Sequence, residues 1–140
     1  NSLEISTSPV PTLVKFSVDT EHQTLKKLVA ICEEFEVAGY VATNTSSSRE
    51  NLKTDINTLE SIGSGGLSGA AMARKSDLII SQLYEILKGS KPVIGVGGVH
   101  DIESAQRKLD LGANLLQVYT GLVYEGPGLV KKLKNNLVLK

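Results

Sequence analysis

An apolar run that ends in three glycines constrains the fold of this 140-residue chain more than any other feature. Residues 92–98 read Pro-Val-Ile-Gly-Val-Gly-Gly, and Asp101 follows at a position typical of a helix N-cap. The pattern predicts a strand that leads into a helix through a loop without side chains. Such a loop lets the backbone approach a ligand, and its N–H groups suit an anion, so we expect a phosphate site here. A tight strand-to-helix turn explains the glycines equally well.

Strand-like and helix-like segments alternate along the rest of the chain. The predicted strands cover residues 12–18, 39–43, 92–95 and 113–119. The predicted helices cover residues 22–36 with Asp19 or Thr20 as the N-cap, a segment from 72–76 to Gly89, residues 101–112, and a segment that starts at 126–128. Strict alternation favours a parallel sheet with outer helices in one domain, residues 1–140. Residues 49–71 show no clear period, which is typical of a functional or mobile loop.

Composition removes several classes of function. Fifteen basic residues balance fifteen acidic ones, which gives no reason to expect a nucleic-acid partner. Cys32 is the only cysteine, so an internal disulfide and a cysteine-rich metal site are excluded, and we expect Cys32 in the core. His22 and His100 lack the spacing of metal ligands and are predicted to be surface or capping residues. No apolar run reaches the ~20 residues of a membrane span.

Ligand-type groups lie at the C-terminal end of every predicted strand, and this decides between two parallel folds. In sequence order they are Lys15, Thr43 with Asn44, Gly97 with Gly98, and Tyr119 with Thr120. A doubly wound sheet collects such groups at one switch point, whereas a barrel collects them from all strand ends. His100 stands where a dinucleotide fingerprint needs glycine, which disfavours the first fold. We therefore predict an α/β chain of parallel (β/α) units that forms half of an eight-stranded barrel.

Three further groups each have a binding explanation and a structural one. Lys15 interrupts an apolar strand; inside a barrel it needs a ring or a ligand oxygen as a partner, and on an edge strand it faces solvent. Thr43, Asn44 and Thr45 suit a ligand with adjacent carbonyl and N–H groups, or form a polar turn. Residues 65–69 form a lid or a ligand contact, or a flexible surface loop. No general base is evident in the chain.

The order of five motifs resembles the dihydroorotate dehydrogenase family, most closely its quinone-dependent type. The motifs are the segments 14–19, 42–45, 65–69, 92–98 and 117–120, and the Gly-Pro-Gly sequence at 126–128 also fits. The resemblance implies the C-terminal half of a TIM (β/α)8 barrel, strands five to eight, with FMN at its mouth. The chain departs from the family pattern at residues 17–18, where Ala-Pro is common, and at residues 70–71, where Arg-Pro is common.

The resemblance also implies residue roles and partners. FMN contacts would come from Lys15, Thr43, Gly69, Gly97, Gly98, Tyr119 and Thr120, and contacts to dihydroorotate or orotate from Asn44 and Thr45. The intact enzyme would oxidise dihydroorotate to orotate in pyrimidine biosynthesis, with quinone as the electron acceptor. That enzyme would be associated with a membrane, at the cytoplasmic face of a bacterial inner membrane or at the mitochondrial inner membrane, whereas this segment itself is expected to be soluble.

The family's catalytic base, a serine, lies in the N-terminal half of the barrel, so this segment alone is expected to be inactive. Its expected partner is that N-terminal half or a second copy of the segment. Two other functions stay open. One is a non-catalytic half-barrel that binds a phosphate ligand or assembles through its open strand edges. The other is a different FMN barrel oxidoreductase with a similar phosphate site.

Overall fold

The computed structural model describes residues 10–50 and 52–138 of the chain. Within these residues strands and helices alternate. In chain order, the elements are β1 (Leu13–Phe16), α1 (His22–Glu34), β2 (Gly39–Ala42), α2 (Ile56–Ile62), a 3-10 turn (Ala70–Met72), α3 (Ala73–Leu87), β3 (Val93–Val96), α4 (Ile102–Asp110), β4 (Leu115–Gln117), α5 (Thr120–Glu125) and α6 (Gly128–Asn136). Residues 1–9, 51, 139 and 140 of the predicted domain lie outside the described residues.

The four strands form one parallel sheet in the order β1-β2-β3-β4. The register aligns Lys15 with Val41, Val41 with Ile94, and Ile94 with Leu115, so these four residues form one row across the sheet. Because all strands run in the same direction, their C-terminal ends meet at a single edge. The predicted parallel α/β architecture, four (β/α) units of a half-barrel, is confirmed.

The main hydrophobic core lies between one face of the sheet and the helices. Phe16, Tyr40 and Val93 point from the sheet into this core, where they pack with Leu25 of α1 and Leu83 of α3. The rings of Phe16 and Tyr40 stack with their centroids 5.5 Å apart. A buried face of this kind fixes the register, since a shift by one residue would turn the core side chains outward.

The opposite face of the sheet is uncovered at β1 and β4, whereas Val96 on the same face is 8% exposed. Leu13 and Leu115 lie on that face and are 43% and 59% exposed. In the described sheet, β1 and β4 each pair along one edge only. An uncovered apolar face between two open edges is what remains when a closed barrel is reduced to four of its strands. None of the described helices is both long and apolar enough to cross a bilayer.

The elements differ from the predictions in several places. Residues 49–71, predicted as a loop, contain α2 and the start of the 3-10 turn; α2 has no buried residue, so it shows no apolar stripe. Helix α5 was not predicted, and β4 is shorter than residues 113–119. The capping prediction for α1 was wrong. Glu21 precedes that helix, and the Asp19 carboxylate instead accepts hydrogen bonds from the loop after β2, including one of 2.6 Å from the Ser46 hydroxyl.

Candidate functional site

A cavity of about 290 Å³ opens at the C-terminal ends of the four strands. This volume lies close to the lower end of the range for small-molecule sites. The lining consists of Lys15, Thr43, Asn44, Thr45, Leu67, Ser68, Gly69, Met72, Val96, Gly97, Gly98, Val99, Gln117, Tyr119, Thr120 and Gly121. All nine residues that the sequence singled out are therefore brought together at one place, although they span more than one hundred positions of the chain.

Lys15 and Thr43 present polar groups that lack a partner within the described protein. Lys15 is exposed on the uncovered face of the sheet, and no described carboxylate forms an ion pair with it. Thr43 is 3% exposed, and its Oγ1 atom is buried without a hydrogen-bond partner. A buried hydroxyl without a partner carries a cost of about 1–3 kcal/mol, which a ligand that bonds to it would remove.

The loop after β2, which carries Asn44 and Thr45, is held by the loop after β1. The Asn44 N–H donates to the Phe16 carbonyl over 2.8 Å. Asp19 accepts from the Ser46 hydroxyl over 2.6 Å and from the Ser47 N–H over 2.9 Å. These hydrogen bonds, with the one from Ser46 the strongest cause, lower the pKa of the Asp19 carboxyl from its ordinary value. The carboxylate therefore remains ionised at neutral pH and fixes the two loops to each other.

Residues 65–69 bridge the two ends of the cavity. Leu67 pairs with Ser46 in an antiparallel bridge, and Gly66 lies so close to Thr45 that a Cβ atom there would overlap its hydroxyl. At the other end, the Thr120 hydroxyl donates to Ser68 Oγ over 3.0 Å. The segment is thus an ordered wall that touches both the loop after β2 and the loop after β4.

Arg49 anchors this wall from behind. Its guanidinium donates to three backbone carbonyls, those of Leu59 at 3.3 Å, Gly63 at 2.7 Å and Gly65 at 2.6 Å. Because the fork geometry of arginine reaches several acceptors at once, one side chain joins the end of α2 to the glycine segment. This role was not predictable, since Arg49 follows three serines in a segment without periodicity.

Close packing against α3 leaves little room for side chains at the two glycines of the loop after β3. Gly98 has φ = 75°, and a Cβ atom there would lie 2.6 Å from Ala73 Cα at the start of α3. Gly97 has φ = 114°, and its Cβ would lie 3.1 Å from Ser76 Cβ. Positive φ angles and close contact with α3 therefore account for both glycines without a ligand. Their other consequence is that bare backbone lines the cavity at this end.

The loops after β3 and β4 touch each other at this end of the cavity. Gly121, at the start of α5, packs against the Val99 carbonyl so closely that no side chain fits between them. Tyr119 is 80% exposed at the rim, and Thr120 lies beside Gly69. His100 was predicted to be a surface or capping residue; its ring is partly exposed, and its Nδ1 atom lies 2.8 Å from the Gly98 carbonyl oxygen.

Sequence reasoning did not single out Met72 and Val99, which also line the cavity. The described lining contains no carboxylate, imidazole or thiol group. Such a lining offers one cation, hydroxyl and amide groups, bare backbone and an apolar floor. These groups suit the binding of a planar, oxygen-rich and anionic ligand, but they include no carboxylate or imidazole that would accept a proton.

Comparison with known proteins places the chain in a family. The sequence model described as "Dihydroorotate dehydrogenase" matches residues 3–139. A dihydroorotate dehydrogenase (quinone) of Trichodesmium erythraeum is 40% identical over 136 residues, which cover 93% of this chain and 35% of that protein. The corresponding protein of Christiangramia forsetii is 42% identical over 132 residues, which cover 94% of this chain and 38% of that protein.

A solved structure gives the same result. The DHODH of Eimeria tenella in complex with ferulenol superposes with a TM-score of 0.81 at 26% identity, over 93% of this chain and 34% of that chain. The chain thus spans about a third of the length of the relatives that it matches, and it corresponds to their C-terminal part. With a family match over nearly all of its length, the chain belongs to the dihydroorotate dehydrogenase family.

Proposed function

We propose that the cavity is one wall of the FMN and substrate site of a dihydroorotate dehydrogenase, and that residues 1–140 form a single partial-barrel domain. The observation that carries this proposal is the convergence of groups from all four strand ends on one cavity, with the Thr43 hydroxyl left unpartnered. A barrel enzyme builds its active site at this end of its strands. Family membership supplies the identity of the ligand.

The residues present fit FMN. Lys15 offers a positive charge to the ring, and Thr43 offers its unpartnered hydroxyl. At the other end of the cavity, the backbone of Gly97 and Gly98 and the Thr120 hydroxyl suit a phosphate group, because bare backbone and a hydroxyl let phosphate oxygens approach closely. Gly69 and Tyr119 complete the proposed set of FMN contacts. When bound, FMN supplies the capacity to accept a hydride, and a cation beside its ring favours that acceptance.

Asn44 and Thr45 are proposed to bind dihydroorotate and orotate. The Asn44 amide can donate and accept at once, which matches a ring with neighbouring carbonyl and N–H groups. In the proposed reaction, dihydroorotate loses a proton from one ring carbon and a hydride from the adjacent carbon, which leaves the double bond of orotate. Quinone is the proposed final electron acceptor of the intact, membrane-associated enzyme. The proton acceptor is not among the described lining residues, so we expect no turnover by this chain alone.

A titration with matched variants tests the proposal. Lys15→Met should weaken the binding of FMN by about tenfold or more, because a hydrogen bond to a charged group contributes about 1.5–3 kcal/mol. Asn44→Ala should weaken the binding of orotate and leave that of FMN nearly unchanged. Lys26→Met, at an exposed lysine of α1, is the control for loss of a positive charge. Equal FMN affinities for the Lys15 and Lys26 variants would contradict the proposed site.

The open edges of the sheet favour a second candidate function, that of a non-catalytic half-barrel that binds a phosphate ligand or assembles with another half. β1 and β4 each have one unpaired edge in the described sheet, and Leu13 and Leu115 are exposed between them. Unpaired edges of this kind can form hydrogen bonds with further strands. We propose that the occupant is the N-terminal half-barrel of the family or a second copy of this chain. The mass in solution separates a monomer from a dimer, and recovery of dihydroorotate oxidation on addition of an N-terminal half would favour the enzyme.

A further inference from the structure

Lys108 of α4 is a fully buried lysine that the proposed function does not use. Its relative exposure is 0%, and its side chain passes beneath β3, where its Cδ atom would lie 3.3 Å from a Cβ at Gly95. Burial lowers the pKa of its amino group, while the hydrogen bond to Asp77 opposes this shift. A buried lysine is costly unless it is fully paired, and an apolar side chain of similar size is often tolerated in its place. A lysine at this buried position therefore requires a structural or functional explanation.

The Lys108 amino group starts a chain of hydrogen bonds that ends at β3. Nζ donates to Asp77 Oδ1 over 2.7 Å and to Ser76 Oγ over 2.9 Å. The Ser76 hydroxyl in turn donates to the Val96 carbonyl over 2.6 Å. Asp77 also accepts from Arg107 Nε over 2.9 Å, so its charge is balanced from both sides. Ser76 is itself fully buried, which leaves its hydroxyl no solvent as an alternative partner.

The Val96 carbonyl is the last acceptor before the glycine loop. The Thr43 N–H donates to the same oxygen over 2.9 Å. The next residue is Gly97, whose left-handed backbone lies against the Ser76 side chain. A single hydroxyl, oriented by a buried ammonium group, thus fixes the peptide from which the loop at the phosphate end of the cavity departs. The network lies on the helix side of the sheet. Neither Ser76 nor Lys108 lines the cavity, but Val96 and Gly97, which Ser76 contacts, do.

We propose that Lys108 and Ser76 are positioning residues that hold the glycine loop after β3 in the geometry required for the phosphate of the flavin nucleotide. This inference rests on the proposed function, because it takes the phosphate end of the cavity from there. Lys108 acts by fixing the direction of the Ser76 hydroxyl. Ser76 acts by fixing the Val96 carbonyl and the backbone of Gly97.

The ratio of affinities for FMN and riboflavin tests the positioning role. Riboflavin has the same ring and lacks the phosphate, so a change confined to the phosphate end alters the ratio, whereas a general loss of stability alters both affinities together. For Ser76→Ala and Lys108→Met we expect the FMN-over-riboflavin preference to fall by about fivefold, as for the loss of one hydrogen bond. Val29→Ala, on the core face of α1, is the control for lost packing and should keep the parent's ratio.

Amide hydrogen exchange of the ligand-free chain gives a second test that needs no flavin. Ser76→Ala should speed exchange at Thr43 and Gly97 relative to the parent when both are corrected for global stability, and Val29→Ala should not. Unchanged exchange at both amides, or an unchanged affinity ratio in a parent that binds FMN, would overturn the positioning role. A parent that binds neither flavin, while its Thr43 exchange responds to Ser76→Ala, would contradict the proposed function and leave the positioning of the loop supported.

Discussion

Replacement of Gly98 by alanine tests the packing of the glycine loop against α3. The residue has φ = 75°, and its Cβ would lie 2.6 Å from Ala73 Cα and 2.8 Å from Ala73 N, which are backbone atoms that cannot rotate away. The left-handed conformation costs an alanine about 1–2 kcal/mol, and the forced displacement of a packed helix costs about 1–3 kcal/mol more. We therefore expect Gly98→Ala to lower the free energy of unfolding by about 2–5 kcal/mol.

Gly126→Ala is the matched control for this prediction. Gly126 has φ = 71°, almost the same as Gly98, but no atom lies within 4 Å of its Cβ position. Its ψ of −179° places it in a region that is nearly exclusive to glycine, so its replacement should cost only the conformational part, about 1–3 kcal/mol. Urea denaturation followed by circular dichroism measures both variants, and with a slope of about 1–3 kcal/mol per molar the difference is readily resolved. Equal losses in the two variants would show that contact with α3 does not dictate the glycine at 98.

Three further predictions concern helix capping, the glycine segment and catalysis. Asp101→Ala should lower the free energy of unfolding by about 1 kcal/mol at neutral pH, because the carboxylate accepts from the Ser104 N–H over 2.8 Å. Hydrogen bonds from Ser104 lower the pKa of Asp101 below its ordinary value of 3.8. The stability that the cap contributes is therefore present above pH 3.8 and is lost as the pH falls through the pKa of the folded state. Urea titrations should show that the free energy of unfolding falls less between pH 7 and pH 3 in the variant than in the parent, and an equal fall would contradict the assignment. Arg49→Lys should speed amide exchange in residues 56–65, since a lysine lacks the fork that reaches three carbonyls; unchanged exchange there would argue against the anchoring role. With FMN and a dye acceptor, the chain alone should not oxidise dihydroorotate above the rate of free FMN, and a measurable enzymatic rate would show that a base exists within it.

The alternation of strands and helices was predictable because each strand that the structure forms is buried on its helix side and therefore apolar. The apolar spacing of α1 and α3 was likewise visible in the sequence. Helix α2 was not, because none of its residues is buried and its start depends on a local cap, in which Asp55 accepts from the N–H groups of Asn57 and Thr58. Short helices that do not contact the core leave no periodic pattern to detect.

The candidate site was predictable where a residue type is unusual for its position. Lys15 stood out in an apolar strand, and the glycines stood out at a strand end. The buried network of Lys108, Ser76 and Asp77 was not predicted, because a lysine and a serine on a helix ordinarily face solvent. One signal was available, since Lys108 lies three positions after the fully buried Ala105 and thus on the same side of α4.

The structure separates the binding of a ligand from the chemistry performed on it. The described cavity has a cation, hydroxyls, an amide and bare backbone, yet no carboxylate or imidazole. The uncovered face of the sheet, with Leu13 and Leu115 exposed, lies on the same side as Lys15. Both observations agree with the proposed half-barrel, in which a second half would enclose the ligand and accept the proton.

The most direct test of the proposed site is an NMR titration of the isotope-labelled chain with FMN. We expect saturable shifts of the amides of Lys15, Thr43, Gly97, Gly98 and Thr120, all with one dissociation constant, and little change at Glu33 near the end of α1. The absence of saturable shifts at both ends of the cavity, or shifts centred on the helix side of the sheet, would contradict the assignment of the cavity as a flavin site.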